Sequence, residues 1–492
     1  MKSHLPQFYY SDNAHGPVEK LKAYLDYLNE VAPQGHHQPY PYTVTEEGLA
    51  IPGQAFIILA NSGEDKLLKA LKGRVTSVLE GIAILDNIDE KAFNELKDRG
   101  VNIHRNLYGF GTNSHTTKPP DPPPPPVGQS INLYHLMLPK CLVHQPNLTK
   151  INPEELVIGI LDSGIDTFYF GQQFCNYMPT SKVIEEKARG DQDQYQYLYW
   201  DGRISGYNTV GDNIYTHYQP SYLDDHGHGT AVAKIIKNIL AAELPKGLYR
   251  ILPIKVLDHN LISTEAAVLQ GLRLAKRHGV KLINCSFGFP YPLPTIENFI
   301  RDNPDMIFVA SMGNGEYNVD NISNYPSNYA ETYANVFEVM ALSFYQHYHL
   351  YRDHHGIAPF ANYSVGRKVF GAPGMEVPGM NPTYTLGVAS YTNSPPPPSS
   401  RFVNYSPYPG FETRRPVYSF MDGSSMSAAY LTGAIATLLA PENNNPAQNN
   451  YSAAQVRTML TTGPDRFVLH NSPSQESGVK INYFYNPQLP RQ

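Results

Sequence analysis

Three segments of this 492-residue chain carry side chains that can exchange protons or attack an electrophilic carbon. In ELVIGILDSGID an uninterrupted apolar run ends abruptly at Asp162, with Asp166 beyond the turn. Such a run reads as a buried parallel strand that delivers a carboxylate at its C-terminal end, where open α/β sheets build their sites. In DDHGHGTAVAKIIKNIL, residues Val232, Ile235, Ile236, Ile239 and Leu240 follow the spacing of a core-facing helix, with His228 in its first turn. A histidine there serves as a neutral base, because the positive helix end disfavours further positive charge. His226 is the rival two residues earlier; the Gly-Thr pair after His228 favours His228. In MDGSSMSAAYLTGAIATLLA, a loop becomes a helix rich in small residues. Ser425 falls at that change, so its hydroxyl projects from a helix N-terminus, where developing negative charge is stabilised. Ser424 and Ser427 are neighbouring hydroxyls, and the residues alone do not choose among the three. An acid, a base and a hydroxyl suit nucleophilic catalysis, since an uncharged serine needs an adjacent base.

The elements that must position these groups alternate in type. From about residue 150 to 465 the apolar runs ELVIGILD, RILPIKVLD, VKLINCSFG, DMIFVASMGN and NVFEVMALS alternate with helical patterns, which predicts a parallel α/β sheet flanked by helices. A smaller α+β unit precedes it. QAFIILA, the helix-like GEDKLLKALKG, two short strands around Gly81, the helix DEKAFNELKDRG and a last strand VNIHRNLYG give the order β-α-β-β-α-β, a ferredoxin-like pattern. Before that, VEKLKAYLDYLNEV has helical spacing at Val18, Leu21, Leu25 and Leu28. KPPDPPPPPVG must be extended and marks the clearest boundary. The expected division is an extension over 1–50, a small domain over 51–112, a Pro-rich linker over 113–130, a large domain over 131–468 and a polar surface tail over 469–492.

Composition narrows the partners. A net charge of −6 supplies no basic field for nucleic acid. The opening residues lack a Sec-type apolar segment, and no window reaches the roughly 18 apolar residues of a membrane span. The expectation is a protein without a membrane partner that is intracellular or exported by a non-classical route. Cys141, Cys175 and Cys285 are too few and too scattered for a disulfide framework or a zinc site, and Cys285 reads as a small buried hydrophobe. The cluster His347, His349, Asp353, His354 and His355 reads as a solvated loop in preference to a metal site.

The three blocks ILDSGID, GHGTAVA and DGSSMSAAYLTGA, in that order, resemble the signature blocks of the subtilisin-like (S8) serine peptidases. The resemblance implies a doubly wound α/β endopeptidase with Asp162, His228 and Ser425 as its catalytic triad. DMIFVASMGNGE resembles the family's oxyanion segment, with Asn314 as the amide donor. NCSFGF resembles the strand that pairs with an extended substrate, with Ser286, Phe287 and Gly288 at the matching places and Gly288 leaving room for a substrate side chain. It also implies that no cofactor is required, that structural calcium is compatible with the fold, and that the substrates are proteins or peptides. The small domain resembles the family's propeptide, an intramolecular inhibitor removed by a cut between about Tyr108 and Ser130. Departures from the family pattern, Ser424 before the nucleophile, Ala429 and Tyr430 in its helix, and Ala231 and Lys234 beside the base, bear on packing and remove no catalytic group. An esterase with a Gly-x-Ser-x-Gly elbow is disfavoured by the string Gly-Ser-Ser-Met-Ser.

Overall fold

The computed structural model describes residues 16–31, 40–59, 65–71, 73–111, 156–165, 199–200, 203–204, 206–210, 224, 226–243, 249–342, 357–375, 377–380, 418–440, 451–462 and 480–483. Asp166, Cys141, Cys175, the His347–His355 cluster and the Pro-rich linker lie outside the described residues.

The N-terminal part begins with α1 (Pro17–Val31), whose Leu21, Leu25 and Leu28 are buried as their spacing requires. It continues through β1 (Thr43–Val44), β2 (Leu49–Ile58), α2 (Asp65–Ala70), β3 (Val75–Leu79), β4 (Ile82–Leu85), α3 (Glu90–Asp98) and β5 (Ile103–Gly111). The β3–β4 hairpin turns at Glu80 and Gly81, both at positive φ, the backbone that a tight two-residue hairpin demands. Asp89 caps α3 by accepting the Ala92 amide at 2.7 Å. The strand order β5-β2-β4-β3 is antiparallel throughout, as the β-α-β-β-α-β pattern predicts.

The larger part follows as β6 (Leu156–Asp162), β7 (Tyr199–Trp200), β8 (Arg203–Ile204), β9 (Tyr207–Asn208), α4 (His228–Glu243), β10 (Tyr249–Lys255), β11 (Ile262–Thr264), α5 (Glu265–Arg277), β12 (Leu282–Cys285), β13 (Phe287–Gly288), α6 (Pro294–Arg301), β14 (Ile307–Ser311), β15 (Val336–Leu342), β16 (Lys368–Pro373), β17 (Val377–Met380), β18 (Tyr418–Met421), α7 (Ser424–Leu439), α8 (Ala453–Thr462) and β19 (Lys480–Tyr483). Eight strands form one sheet in the order β19-β16-β15-β14-β12-β6-β10-β9, and every neighbouring pair is parallel. The segment expected as a surface tail therefore supplies the edge strand β19, a short pairing that its polar composition concealed.

Burial explains the doubly wound form. One apolar layer joins Val232, Ile235, Ile236 and Leu240 of α4 to Leu431, Ile435 and Leu439 of α7 and to the inner strands. The other face carries Val268, Leu269 and Leu272 of α5 with Ile296 and Phe299 of α6, and against these the small domain lays Ala50, Phe56, Leu79, Ile82 and Leu107. The small residues of α7 let it pack closely on the sheet, where Ala428, Ala429 and Ala436 are buried. They also admit α4: a Cβ on Gly433 would stand 2.6 Å from Ile239 Cδ1. Cys285 is a free, buried thiol in the central strand β12, as its apolar setting predicts. Among the described residues no helix is long and apolar enough to cross a membrane.

Candidate active site

Asp162 is the last residue of β6, at the C-terminal edge of the parallel sheet. Its Oδ1 accepts the Ser163 amide at 2.7 Å and stands 2.7 Å from His228 Nδ1. Both side chains are fully buried. A carboxylate on Nδ1 fixes the ring; among the described residues His228 Nε2 has no hydrogen-bond partner. His226, the rival base, lies with its ring centroid 6.3 Å from that of His228.

The start of α4 is held by Asp224, whose place the sequence reading missed. Its Oδ1 accepts the amides of His226 (3.0 Å) and Gly227 (2.7 Å) and the hydroxyl of Ser163 (2.8 Å). Its Oδ2 accepts the amide and hydroxyl of Thr230 at 2.8 and 2.5 Å. One buried carboxylate thus satisfies the orphan N–H groups of the helix end and ties it to the residue after Asp162. An acidic residue shortly before a helical pattern is the signal that would have found it. Gly229 matters for space: a Cβ there would fall 2.1 Å from Gly164 O. The buried Lys255 ammonium donates to Ser163 O and Leu257 O, both at 2.8 Å, and so pins the turn that follows Asp162.

Ser425 is the second residue of α7, and the chain reaches it through Gly423 at φ 148°. Its Oγ faces Ser286 O at 3.5 Å, while Ser286 Oγ donates to Ser425 O at 3.2 Å. Beneath this pair Thr432 Oγ1 donates to Asn284 Oδ1 at 3.0 Å, and Asn284 Nδ2 donates to Ser286 Oγ at 2.8 Å. Asn284 is thus buried, with both polar atoms of its carboxamide engaged. The other two serines have other duties: Ser424 Oγ accepts the Gly313 amide at 3.0 Å, and Ser427 Oγ donates to Ala372 O at 3.0 Å on the sheet. Asn314 reaches the same helix end, its Oδ1 accepting the Ser424 amide at 2.9 Å. Its loop is shaped by Asn362, which donates to Met312 O at 2.7 Å and accepts the amides of Gly315 and Tyr317 at 2.8 and 3.0 Å. Asn362 lies in a segment that shows no chemistry of its own in sequence.

Beside Ser425 runs a groove between β11 and β13, and β5 of the small domain occupies it. β5 pairs antiparallel with both, matching Phe110 to Ile262 and Gly288, and Gly111 to Phe287. The Gly111 amide donates to Leu261 O at 2.7 Å. Phe287 and Gly288 are therefore main-chain partners of an extended strand, with Ser286 at the next step toward Ser425. Gly288 lies close against Asn324: a Cβ on Gly288 would meet Asn324 Oδ1 at 2.1 Å. Asn324 Nδ2 is anchored on Ser311 O at 3.1 Å. Phe287 itself is buried in the core layer below the groove. Among the described residues no group of three or more His, Cys, Asp or Glu side chains could hold a metal ion.

Glu265 opens α5 beside this groove and is buried, accepting from Thr295 Oγ1 at 2.5 Å. Burial pushes its carboxyl pKa up to about 8. The first turn of α5 receives a cap from the small domain, where Asn106 Oδ1 accepts the Ala266 amide at 3.1 Å.

Known proteins share this architecture. The model of the subtilase family, Peptidase S8, matches residues 154–478, well over half of the chain. Subtilisin Savinase of Lederbergia lenta is 26% identical over 261 residues, covering 51% of this chain and 76% of that protein. An alkaline protease of Shouchella clausii is 26% identical over 261 residues, but there the match spans only 53% of the relative's length. The crystal structure of fervidolysin from Fervidobacterium pennivorans, a keratinolytic enzyme related to subtilisin, superposes with a TM-score of 0.51 at 19% identity, over 89% of this chain and 60% of that one, a likeness of fold. With a parallel sheet flanked by helices and an antiparallel sheet before it, this chain belongs to the subtilase family and is a subtilisin-like serine peptidase.

Proposed function

We propose that the chain hydrolyses peptide bonds through Asp162, His228 and Ser425, and that it is made as a zymogen inhibited by its own N-terminal domain. The observation that carries the first statement is the buried 2.7 Å contact between His228 Nδ1 and Asp162 Oδ1, which leaves Nε2 for a hydroxyl. In the reaction Ser425 Oγ bonds to the scissile carbonyl carbon as its proton passes to His228 Nε2. Asp162 stabilises the imidazolium that results. Collapse of the tetrahedral adduct breaks the C–N bond, and His228 returns the proton to the leaving amine. Water, activated by the same imidazole, then releases the acyl group. The adduct's oxyanion is held by the Ser425 amide at the helix N-terminus and by the Asn314 carboxamide, whose oxygen is already engaged by Ser424 N–H. Catalytic hydrogen bonds often tighten only when substrate is bound, so the present facing of Ser425 Oγ toward Ser286 O is compatible with this role.

Three observations support the zymogen reading. β5 pairs antiparallel with both walls of the groove, as an extended substrate would by strand addition. Gly111, its last described residue, stands opposite Phe287, next in sequence to Ser286, whose carbonyl lies 3.5 Å from Ser425 Oγ. α1 and the chain after it strap β5 down: Tyr24 donates to Asn260 O at 3.0 Å, Tyr40 to Asp258 Oδ2 at 2.7 Å, and the Lys20 ammonium lies 4.6 Å from the Tyr317 ring centre. On this reading the cut falls just past β5, inside the expected window from Tyr108 to Ser130. Covalent labelling by a fluorophosphonate tests the chemistry. Label on Ser425 that disappears in His228→Ala supports the triad, and label on another serine contradicts it.

A further inference from the structure

The two glycines of β5 are set against the groove wall for want of space. A Cβ on Gly109 would stand 2.4 Å from Phe289 Cε1 and 2.5 Å from Cζ. One on Gly111 would stand 3.0 Å from Leu261 Cβ and 3.2 Å from Leu257 Cδ1. Neither glycine has a positive φ, so backbone conformation alone would accept other residues at both positions. The alternate residues Tyr108 and Phe110 pack instead with Leu21 and Leu25 of α1, as the period of two in a strand requires.

The walls are not free to yield. Phe289 is fully buried, set edge-on to Phe287 at 6.2 Å and tilted against Tyr291 at 6.4 Å. Its backbone is bridged to Tyr325 in both directions, at 2.8 and 2.9 Å. Leu261 holds φ 59°, a left-handed conformation that costs a non-glycine residue about 1–2 kcal/mol. Strain of this kind is retained where it shapes a clamp, and here it sets the Leu261 side chain over Gly111.

We propose that Phe289 and Leu261 make this peptidase selective for extended Gly-X-Gly segments, with glycine at the positions that Gly109 and Gly111 occupy upstream of the cut. The inference rests on reading the β5 groove as the substrate site. Phe289 makes the first position strict for glycine. The second, where the approach is 3.0 Å or more, tolerates alanine.

The test compares two internally quenched peptides on the purified full chain after self-processing. One carries Tyr-Gly-Phe-Gly-Thr, the order of residues 108–112; the other has leucine for the first glycine. Their kcat/KM ratio cancels residual inhibition by the N-terminal domain. The glycine peptide is expected to be cut about 100-fold better, the effect of forcing a side chain into a filled site, and Phe289→Ala is expected to bring the ratio near one. Equal cutting by the parent, or a ratio that Phe289→Ala leaves in place, overturns the proposal. A second arm needs no catalysis. In a Ser425→Ala chain, Gly109→Leu should abolish hydrogen-exchange protection of the Gly111 amide, which donates to Leu261 O across the groove, and Phe289→Ala should restore it. Protection that survives Gly109→Leu, or a loss that Phe289→Ala does not repair, also overturns it. If neither peptide is cut and Ser425 takes no fluorophosphonate, the proteolytic reading fails while the exchange arm still decides the groove.

Discussion

The N-terminal domain meets the rest of the chain in two ways that differ in kind. Its sheet lays Ala50, Phe56, Leu79, Ile82 and Leu107 on Leu269 and Leu272 of α5, a broad apolar contact. Its last strand meets the groove through main-chain hydrogen bonds and two glycines set close against its walls. Apolar burial is roughly proportional to area and indifferent to direction, so the first contact supplies affinity without fixing which peptide bond reaches Ser425. A strand pairing shifted by one residue would reverse the faces of β5 and drive Tyr108 or Phe110 into Phe289. The narrow contact therefore supplies register, and the two can be separated by mutation.

The largest effect should fall on chemistry alone. Ser425→Ala is expected to lower peptide hydrolysis by about 10⁶-fold, the loss seen when the nucleophile of such a triad is removed, while exchange protection of β5 stays as in the parent. Asn314→Ala should lower kcat by about 10²–10³-fold with little change in KM, because the donor acts on charge that develops only in the transition state. Phe56→Ala strikes the broad contact. It should weaken docking of the N-terminal domain by about 3 kcal/mol, the usual cost of deleting a buried phenylalanine, and shorten the lag before activity without altering kcat on a small peptide.

The smallest effect is a pH dependence. Burial raises the Glu265 carboxyl pKa from 4.5 to about 8 in the folded chain. The folded state therefore binds this proton more tightly than the unfolded state. Its stabilising share is fully present below pH 4.5 and is lost as pH rises toward 8. The thermal midpoint of Glu265→Gln should consequently fall less than the parent's between pH 5 and 8, by on the order of 2–4 °C. Glu338, also raised to about 8 by burial, is common to both chains and drops out of the comparison.

Much of this was legible because it was local. The apolar run ending at Asp162, the helical spacing after His228 and the small-residue helix after Ser425 each announce their element through periodicity. The β-α-β-β-α-β order gave the small sheet for the same reason. What stayed hidden depends on contacts between distant segments. Asp224 reads as one acidic residue in a polar loop until the fold sets it against Ser163 and Thr230. Asn362 anchors the Asn314 loop and Asn324 lies against Gly288 through contacts that local residue spacing does not announce. β19 is too short and polar to read as a strand, and its pairing partner lies more than a hundred residues away. The place of α1 over β5 could not be read either, since an amphipathic helix declares that one face is buried without naming what covers it.

The central claim is that β5 lies in the substrate groove and that Ser425 cuts the chain just beyond it. Intact mass spectrometry of freshly purified full-length protein, followed over several hours beside the Ser425→Ala variant, tests this most directly. The account predicts that the parent loses a fragment ending shortly after Gly111 while the variant stays whole. Shortening of the variant at the parent's rate, or a parent that stays whole with Ser425 unreactive toward a fluorophosphonate, would contradict it.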